Sequence, residues 1–112
     1  LHLPWLTHLY LWDNNIDDVG ANTLVCTSDL RALKHLDLSH NIIKAESDGI
    51  FTQLPATLTG LDLSANCIRD ARCVAAMLVV LQKVSRKIRV NLDVAQCVWL
   101  SVDQLVVQIS EL

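Results

Sequence analysis

The sequence predicts a single α/β domain over residues 1–112, built as a solenoid with a curved parallel sheet inside, helices outside and a helical cap at the C-terminal end. Three features predict this fold: a phrase of alternating leucines that recurs three times, an amphipathic helix pattern after its third copy, and a helical apolar face that ends the chain. With 112 residues, 52% of them hydrophobic, the chain can bury a core without disulfides or a metal ion.

The recurring phrase is L-x-x-L-x-L-x-x-N-x-I, and its copies align without gaps. Leu9, Leu36 and Leu61 stand at the same place in it, 27 and 25 residues apart. Leucines at alternating positions predict a short strand with one buried face, and stacked copies bury that face in a parallel sheet. The repeats are predicted at about 6–32, 33–57 and 58–84. The aligned sets are Leu6, Leu9, Leu11, Asn14 and Ile16; Leu33, Leu36, Leu38, Asn41 and Ile43; and Leu58, Leu61, Leu63, Asn66 and Ile68.

An asparagine ends each phrase where the chain turns away from the strand. A buried side-chain amide at such a turn can bond backbone groups of the neighbouring turn that would otherwise lack partners. We therefore predict structural roles for Asn14, Asn41 and Asn66.

The connections between the predicted strands differ in character. The clearest helix is predicted between Ile68 and Ile88, with Asp70 as its N-cap. In the second repeat Pro55 follows Leu54, which predicts a short or irregular helix. The inner face of the third-repeat helix is predicted to carry Val74, Leu78 and Leu81.

A degenerate last strand and a helical cap are predicted over residues 85–112. A further step of 27 residues places Ile88 in the slot of Leu61, with Val90 two positions on. The tail is predicted to be helical, either as one rod that exposes Leu100 and Val107 or as two pieces broken near Ser101. In either form it is predicted to cover the open end of the sheet. Its apolar face comprises Val94, Val98, Val102, Leu105, Ile109 and Leu112.

These repeats resemble the leucine-rich-repeat family over about residues 3–90. The repeat lengths, together with Asp18–Ala21 and Leu24 after the first phrase, are similar to the ribonuclease-inhibitor-like subclass, in which a helix follows each strand. The stretch Leu54–Ser64 also resembles repeats in effector proteins of intracellular bacterial pathogens. The resemblance implies a protein-binding domain, free-standing or part of a larger sensor or effector.

Charge and hydropathy narrow the partner classes. A formal net charge of -3 gives no overall attraction for nucleic acid, and only the basic strip Arg86, Lys87 and Arg89 keeps that alternative open. The longest apolar run, Val74 to Leu81, is too short to span a bilayer, so no membrane partner is expected.

The four cysteines are predicted to be reduced, buried thiols. They form no C-x-x-C pair and lie near no histidine at the spacing of a zinc site, so no metal or other cofactor is expected. Reduced thiols indicate an intracellular setting, or the host cell for a secreted effector. The positions are Cys26, Cys67, Cys73 and Cys97.

The outward side chains of the concave sheet face are predicted to carry the function. Aromatic rings beside charged groups are typical of a protein contact. Alignment gives four rows across the strands: His8, His35, Gly60 and Lys87; Tyr10, Asp37, Asp62 and Arg89; Trp12, Ser39, Ser64 and Asn91; and Asp13, His40, Ala65 and Leu92. The predicted partner-binding residues are Tyr10, Trp12, His35, Asp37, His40, Asp62 and Arg89.

Alternatives remain open for several of these residues. Tyr10 and Trp12 would also be explained by coverage from a further N-terminal segment. Asp37 and Asp62 occupy the Asp of a Leu-Asp-Leu-Ser phrase common in the family, which solvation alone could explain, and Asp62 with Arg89 would form a surface ion pair.

Two functional hypotheses from different classes follow. The first is a protein-interaction module, and the second is a structural unit that self-associates as a homodimer. Catalysis and a small-molecule substrate are not expected, because an open sheet face offers no pocket that excludes water and no nucleophile has a base in register.

Overall fold

The computed structural model describes residues 3–26, 30–46, 51, 53–68, 76, 77, 79–81, 83, 88–94 and 96–101. Within them, five strands form one sheet in chain order, and the first four are parallel, as predicted. The strands are β1 (His8–Tyr10), β2 (His35–Asp37), β3 (Gly60–Asp62), β4 (Arg89–Val94) and β5 (Gln96–Ser101). Helix α1 (Asp18–Val25) lies between β1 and β2 in the chain.

The register of the first three strands is the one that the repeated phrase predicts. Leu9 pairs with Leu36, and Leu36 with Leu61, so the central leucines stack from strand to strand. Leu36 and Leu61 are fully buried, whereas Leu9 at the edge of the sheet is half-buried. The outward neighbours of these leucines are thereby aligned as well.

The core is a continuous stack of the repeated apolar positions. Its members in the second and third repeats are almost completely buried, apart from the half-buried Ile68, and the helical residues Met77 and Leu81 also contribute to it. Their counterparts in the first repeat are only half-buried, so the stack opens at β1. The buried strand-side members are Leu33, Leu36, Leu38, Ile43, Leu58, Leu61, Leu63, Ile88, Val90 and Leu92, and the half-buried ones are Leu6, Leu9, Leu11, Ile16 and Ile68.

Asn41 and Asn66 connect successive turns through their side-chain amides, which confirms their predicted roles. Asn41 Oδ1 accepts from the backbone N–H groups of Asn14 and Ile16, both at 2.9 Å. Asn66 Oδ1 accepts from the N–H of Ile43 at 2.9 Å. The same prediction is wrong for Asn14, which is exposed and whose amide donates only within its own turn, to the carbonyl of Trp12. The other donations run from Asn41 Nδ2 to the carbonyls of Leu11, Leu38 and Ser39, and from Asn66 Nδ2 to those of Leu38, Leu63 and Ser64.

Helix α1 begins at an aspartate cap and packs one side on the core. Asp17 has an extended backbone, and its Oδ1 accepts from the N–H of Gly20 at 2.8 Å, as an N-cap does. Ala21 and Val25, four residues apart, are the buried apolar positions of the helix. The helix ends at Cys26, whose N–H still bonds the carbonyl of Asn22.

The other two connections are described only in part. Between β2 and β3 the described residues contain no helix, but residues 47–50 and 52 lie outside them, so the short or irregular helix predicted before Pro55 stays a prediction. In the third repeat, residues 76, 77, 79–81 and 83 are helical, and Leu81 is buried. Asp70, Val74 and Leu78 lie outside the described residues.

The aspartate that opens α1 holds the turn after β2. Asp18 is buried, and its carboxylate accepts three backbone N–H groups, from Lys44 at 2.7 Å, Ala45 at 3.1 Å and Glu46 at 2.9 Å. Ala45 lies in the left-handed region with φ of 57°, so these bonds hold a turn that an alanine does not favour by itself. The first helix is thus tied to the second repeat by a side chain.

The predicted helical cap is wrong over residues 96–101. These residues form β5, which pairs antiparallel with β4, so that Val90 lies opposite Leu100 and Leu92 opposite Val98. The physical reason is that positions four apart, such as Val94 and Val98, share a face of a strand as well as of a helix, and these β-branched residues favour an extended chain. The remaining cap residues, Val102, Leu105, Ile109 and Leu112, lie outside the described residues.

The predicted register of the last strand is also wrong, by two residues. Leu61 pairs with Val90 and not with Ile88, so Arg89 lies beside Gly60 and Asn91 beside Asp62. A shift of two residues leaves the same side chains on the core face, and for this reason the apolar pattern could not distinguish the two registers.

Cys26 and Cys67 are free thiols. Cys26 is exposed, contrary to the expected burial, because it follows the last turn of α1, and Cys67 is half-buried. Cys73 lies outside the described residues. None of the helices that the structure describes is long and apolar enough to cross a membrane.

Candidate functional site

Three rings from β1 and β2 form a compact cluster on the outward face of the sheet. The centroids of Tyr10 and His35 are 5.5 Å apart, those of His8 and His35 are 5.9 Å apart, and those of His8 and Tyr10 are 6.4 Å apart. The parallel register places His8 beside His35, and strand alternation brings Tyr10 to the same face. We call His8, Tyr10 and His35 the ring cluster.

A glycine in β3 makes room for this cluster. Gly60 pairs with His35, and a Cβ at Gly60 would lie 2.7 Å from Nδ1 of His35, closer than such atoms approach in proteins. The imidazole therefore lies over the backbone of β3, where a side chain would displace it. His8 is fixed from its other side by a 2.9 Å hydrogen bond between its Nδ1 and Oγ1 of Thr7.

Large aromatic surface remains open to solvent around the cluster. Tyr10 is 56% exposed and Trp12, just beyond the end of β1, is 58% exposed. Both alternate with the core residues Leu9 and Leu11, which is why they cannot turn inward. The sequence prediction that these two aromatics lie exposed on one end of the sheet is confirmed.

The two aspartates in the middle of the sheet are anchored by serines two residues later. Asp37 Oδ1 accepts from the N–H of Ser39 at 2.9 Å and from its hydroxyl at 2.6 Å. Asp62 Oδ1 makes the same pair of bonds with Ser64, at 3.0 and 2.7 Å. Each carboxylate therefore stabilises the exit from its strand, so solvation alone does not explain these residues. Both stay half-exposed.

The turns that follow the strands use left-handed backbone at one repeated position. Asp13, His40 and Ala65 have φ of 60°, 54° and 52°. His40 is exposed there, displaced from the ring cluster by the strand exit, and its N–H bonds the carbonyl of Ser64. The predicted site residue His40 thus lies on the rim next to the face.

Arg89 opens β4 and is exposed. The predicted neighbours Asp62 and Arg89 do not pair, because the register brings Asn91 next to Asp62. Asn91 is buried, and its Oδ1 has no hydrogen-bond partner among the described residues. Lys87, predicted beside Gly60, lies outside the described residues.

The predicted site residues therefore fall into three groups. Tyr10 and His35 meet in the ring cluster, Asp37 and Asp62 line the adjacent strands, and the others lie at the margins. His8 and Gly60 were placed in the correct row but were not predicted to be site residues, although the alignment of His8 with His35 was the signal for a ring contact. Among the described residues, no group of three or more His, Cys, Asp or Glu side chains is placed to hold a metal ion.

Comparison with known proteins agrees with the geometry of stacked strands. The sequence model of the leucine rich repeat family matches residues 4–68, more than half of the chain. The chain belongs to the leucine-rich-repeat family. Podocan-like protein 1 of Mus musculus is similar, with 42% identity over 69 residues that cover 62% of this chain and 11% of that protein. The chain thus aligns with only about a tenth of its relative's length. No solved structure shows a significant match.

Proposed function

We propose that this leucine-rich-repeat domain is a protein-interaction module that binds its partner on the outward sheet face, the concave side of the predicted solenoid. Domains of the family generally mediate contacts between proteins. The observation that carries the proposal is the ring cluster with its exposed neighbour Trp12, because clustered aromatics beside charges form the centres of protein interfaces. The proposed contact residues also include His35, Asp37, His40, Asp62 and Arg89.

The hydrogen bonds that Asp37 and Asp62 make to the chain support a binding role over a catalytic one. Asp37 and Asp62 each use one carboxylate oxygen to hold a strand exit, which gives the carboxylates a fixed orientation on an open face. The assignment to the ribonuclease-inhibitor-like subclass is supported by α1 after β1 and by the repeat lengths. A place within a bacterial effector rests on the resemblance of residues 54–64, and an intracellular setting rests on the reduced cysteines predicted from the sequence.

The proposal predicts that peptides selected by the domain from a random displayed library bind at Tyr10 and Trp12. We expect the replacement of both Tyr10 and Trp12 by serine to weaken the binding of the selected peptides by at least about 30-fold, since the loss of even one central aromatic costs about 2 kcal/mol. Binding is measured by interferometry on the immobilised domain. The matched control is Val19→Ser, because Val19 is 71% exposed but lies on α1.

Peptides that bind the double variant and the wild type equally well would contradict the proposal, because their site would lie elsewhere. If Val19→Ser weakened peptide binding as much as the double variant does, the peptides would be adhering to exposed apolar surface in general. The free energy of unfolding of each variant is measured in parallel, so that lost binding is not confused with lost folding.

Self-association is a second candidate, and the exposed apolar surface beside β1 favours it. Strand β1 is the edge of the sheet, its core leucines are half-buried, and Trp5 in the turn before it is 69% exposed. Exposed strand edges with apolar neighbours pair readily with another chain.

This candidate predicts a mass twice the monomer value of 12.5 kDa at high micromolar concentration, which falls on dilution. Light scattering coupled to size exclusion measures it. We expect Trp5→Ser to abolish the dimer and Val19→Ser to leave it unchanged. A mass of 12.5 kDa at every concentration would exclude this candidate and leave the interaction module.

A further inference from the structure

The ring cluster includes an exposed aromatic side chain, Tyr10, on which a cation can lie. A cation is attracted to an aromatic face when it lies within about 6 Å of the ring centroid. The rings of His8 and His35 lie beside Tyr10, with centroids 6.4 and 5.5 Å from its own, yet Tyr10 is still exposed over 56% of its surface. Part of the tyrosine ring is therefore open to a ligand.

Carboxylates adjoin these rings on the same face. Asp37 is the register partner of Tyr10, and Asp62 is the register partner of Asp37. Asp13 is exposed in the turn beyond β1. These three acids lie toward the carboxyl ends of β1, β2 and β3, whereas the exposed cation Lys34 precedes β2 and Arg89 opens β4.

The serine bonds leave each central carboxylate able to take a further donor. In both Asp37 and Asp62 the hydrogen bonds fall on Oδ1, and no described residue donates to Oδ2. The serines therefore orient the group, and the second oxygen can accept from a bound molecule. An aromatic face next to such an acceptor suits a planar donor that can stack and hydrogen-bond at once.

We infer that the ring cluster and Asp37 together bind an arginine side chain of the protein partner. The guanidinium stacks on Tyr10 and donates to Oδ2 of Asp37, while Asp62 adds to the negative potential of the site. Lysine fits less well, because its ammonium is a compact, strongly hydrated charge that cannot stack. The inference rests on the proposed function and specifies the chemistry of the partner.

The test uses three synthetic peptides of equal length on a glycine-serine scaffold, carrying three arginines, three lysines or three glutamates. NMR titration at low salt follows the ring signals of Tyr10, Trp12 and His35. We expect the arginine peptide to shift the Tyr10 and His35 signals and to bind about fivefold tighter than the lysine peptide. The glutamate peptide should not bind.

Two variants locate the contact. Asp37→Asn keeps an oxygen for Ser39 but removes the charge, and Tyr10→Leu removes the ring face while keeping an apolar side chain. Each variant should bind the arginine peptide about five- to tenfold more weakly than the wild type does. The matched control is Asp17→Asn, which makes the same charge change at the N-cap of α1 and retains a capping side chain.

Equal binding of the arginine and lysine peptides, or equal losses from Asp37→Asn and Asp17→Asn, would overturn the inference in favour of plain charge attraction. Library peptides that require Tyr10 and Trp12 but carry no arginine would overturn it too, while the proposed interaction module would stand. Library peptides indifferent to Tyr10 and Trp12 would overturn both.

Discussion

Replacing Asn41 by alanine should lower the free energy of unfolding by about 3 to 4 kcal/mol, a large part of the roughly 5 to 15 kcal/mol that holds a small domain folded. The amide makes five hydrogen bonds to backbone groups of two successive turns, over 2.9 to 3.1 Å. Each of these groups would lose its partner, at about 1 kcal/mol apiece, and water would satisfy only those nearest the surface. Urea denaturation followed by circular dichroism measures the change.

The matched control for this prediction is Asn14→Ala. Asn14 occupies the same position of the first repeat, but its amide is exposed and makes a single local bond to the carbonyl of Trp12. We expect that variant to lose about 0.5 kcal/mol. Comparable losses in the two variants would show that the repeated asparagine acts through its own turn and not by joining neighbouring turns.

The repeat phrase determined most of the fold because it specifies position and register together. Leu9, Leu36 and Leu61 recur without gaps, so the strands and their lateral pairs followed from alignment alone. The alignment also predicted the rows of outward side chains on β1 to β3, and these rows place Tyr10 close to His35. Sequence reasoning succeeded where each buried position has an equivalent in the next copy.

The errors arose where the apolar spacing fits two structures. Val94 and Val98 are four residues apart, which places them on one face of a helix and equally on one face of a strand. Leu100 was the informative residue, because it does not fit the helical face but does follow Val98 by two. The register of β4 was ambiguous for the same reason, since Ile88, Val90 and Leu92 are all buried.

The side-chain contacts of the site depend on details that periodicity does not contain. That His35 lies over Gly60 follows from the missing Cβ, and the serine bonds to Asp37 depend on the path of the strand exit. The role of Asp18 was also missed. Its only signal was Asp70, which follows Ile68 by two residues as Asp18 follows Ile16.

Asp18→Ala is therefore the second variant for which we expect a large loss of stability, about 3 to 5 kcal/mol. The carboxylate is buried and accepts the N–H groups of Lys44, Ala45 and Glu46, and hydrogen bonds to a charged group contribute about 1.5 to 3 kcal/mol each. The total should fall below the sum of the three, because Lys44 and Glu46 are exposed and water can reach their amides.

The control is its neighbour Asp17, whose carboxylate accepts one N–H at the surface, so that Asp17→Ala should cost about 1 kcal/mol as the loss of an N-cap. Both variants remove one negative charge from the start of α1, and the difference between them isolates the three bonds to the second repeat. Hydrogen exchange of the amides of residues 44–46 locates the effect: it should rise sharply in Asp18→Ala and stay near the wild-type rate in Asp17→Ala. Equal exchange in the two variants would mean that the turn after β2 holds its shape without the aspartate, and that Asp18 acts only on its own helix.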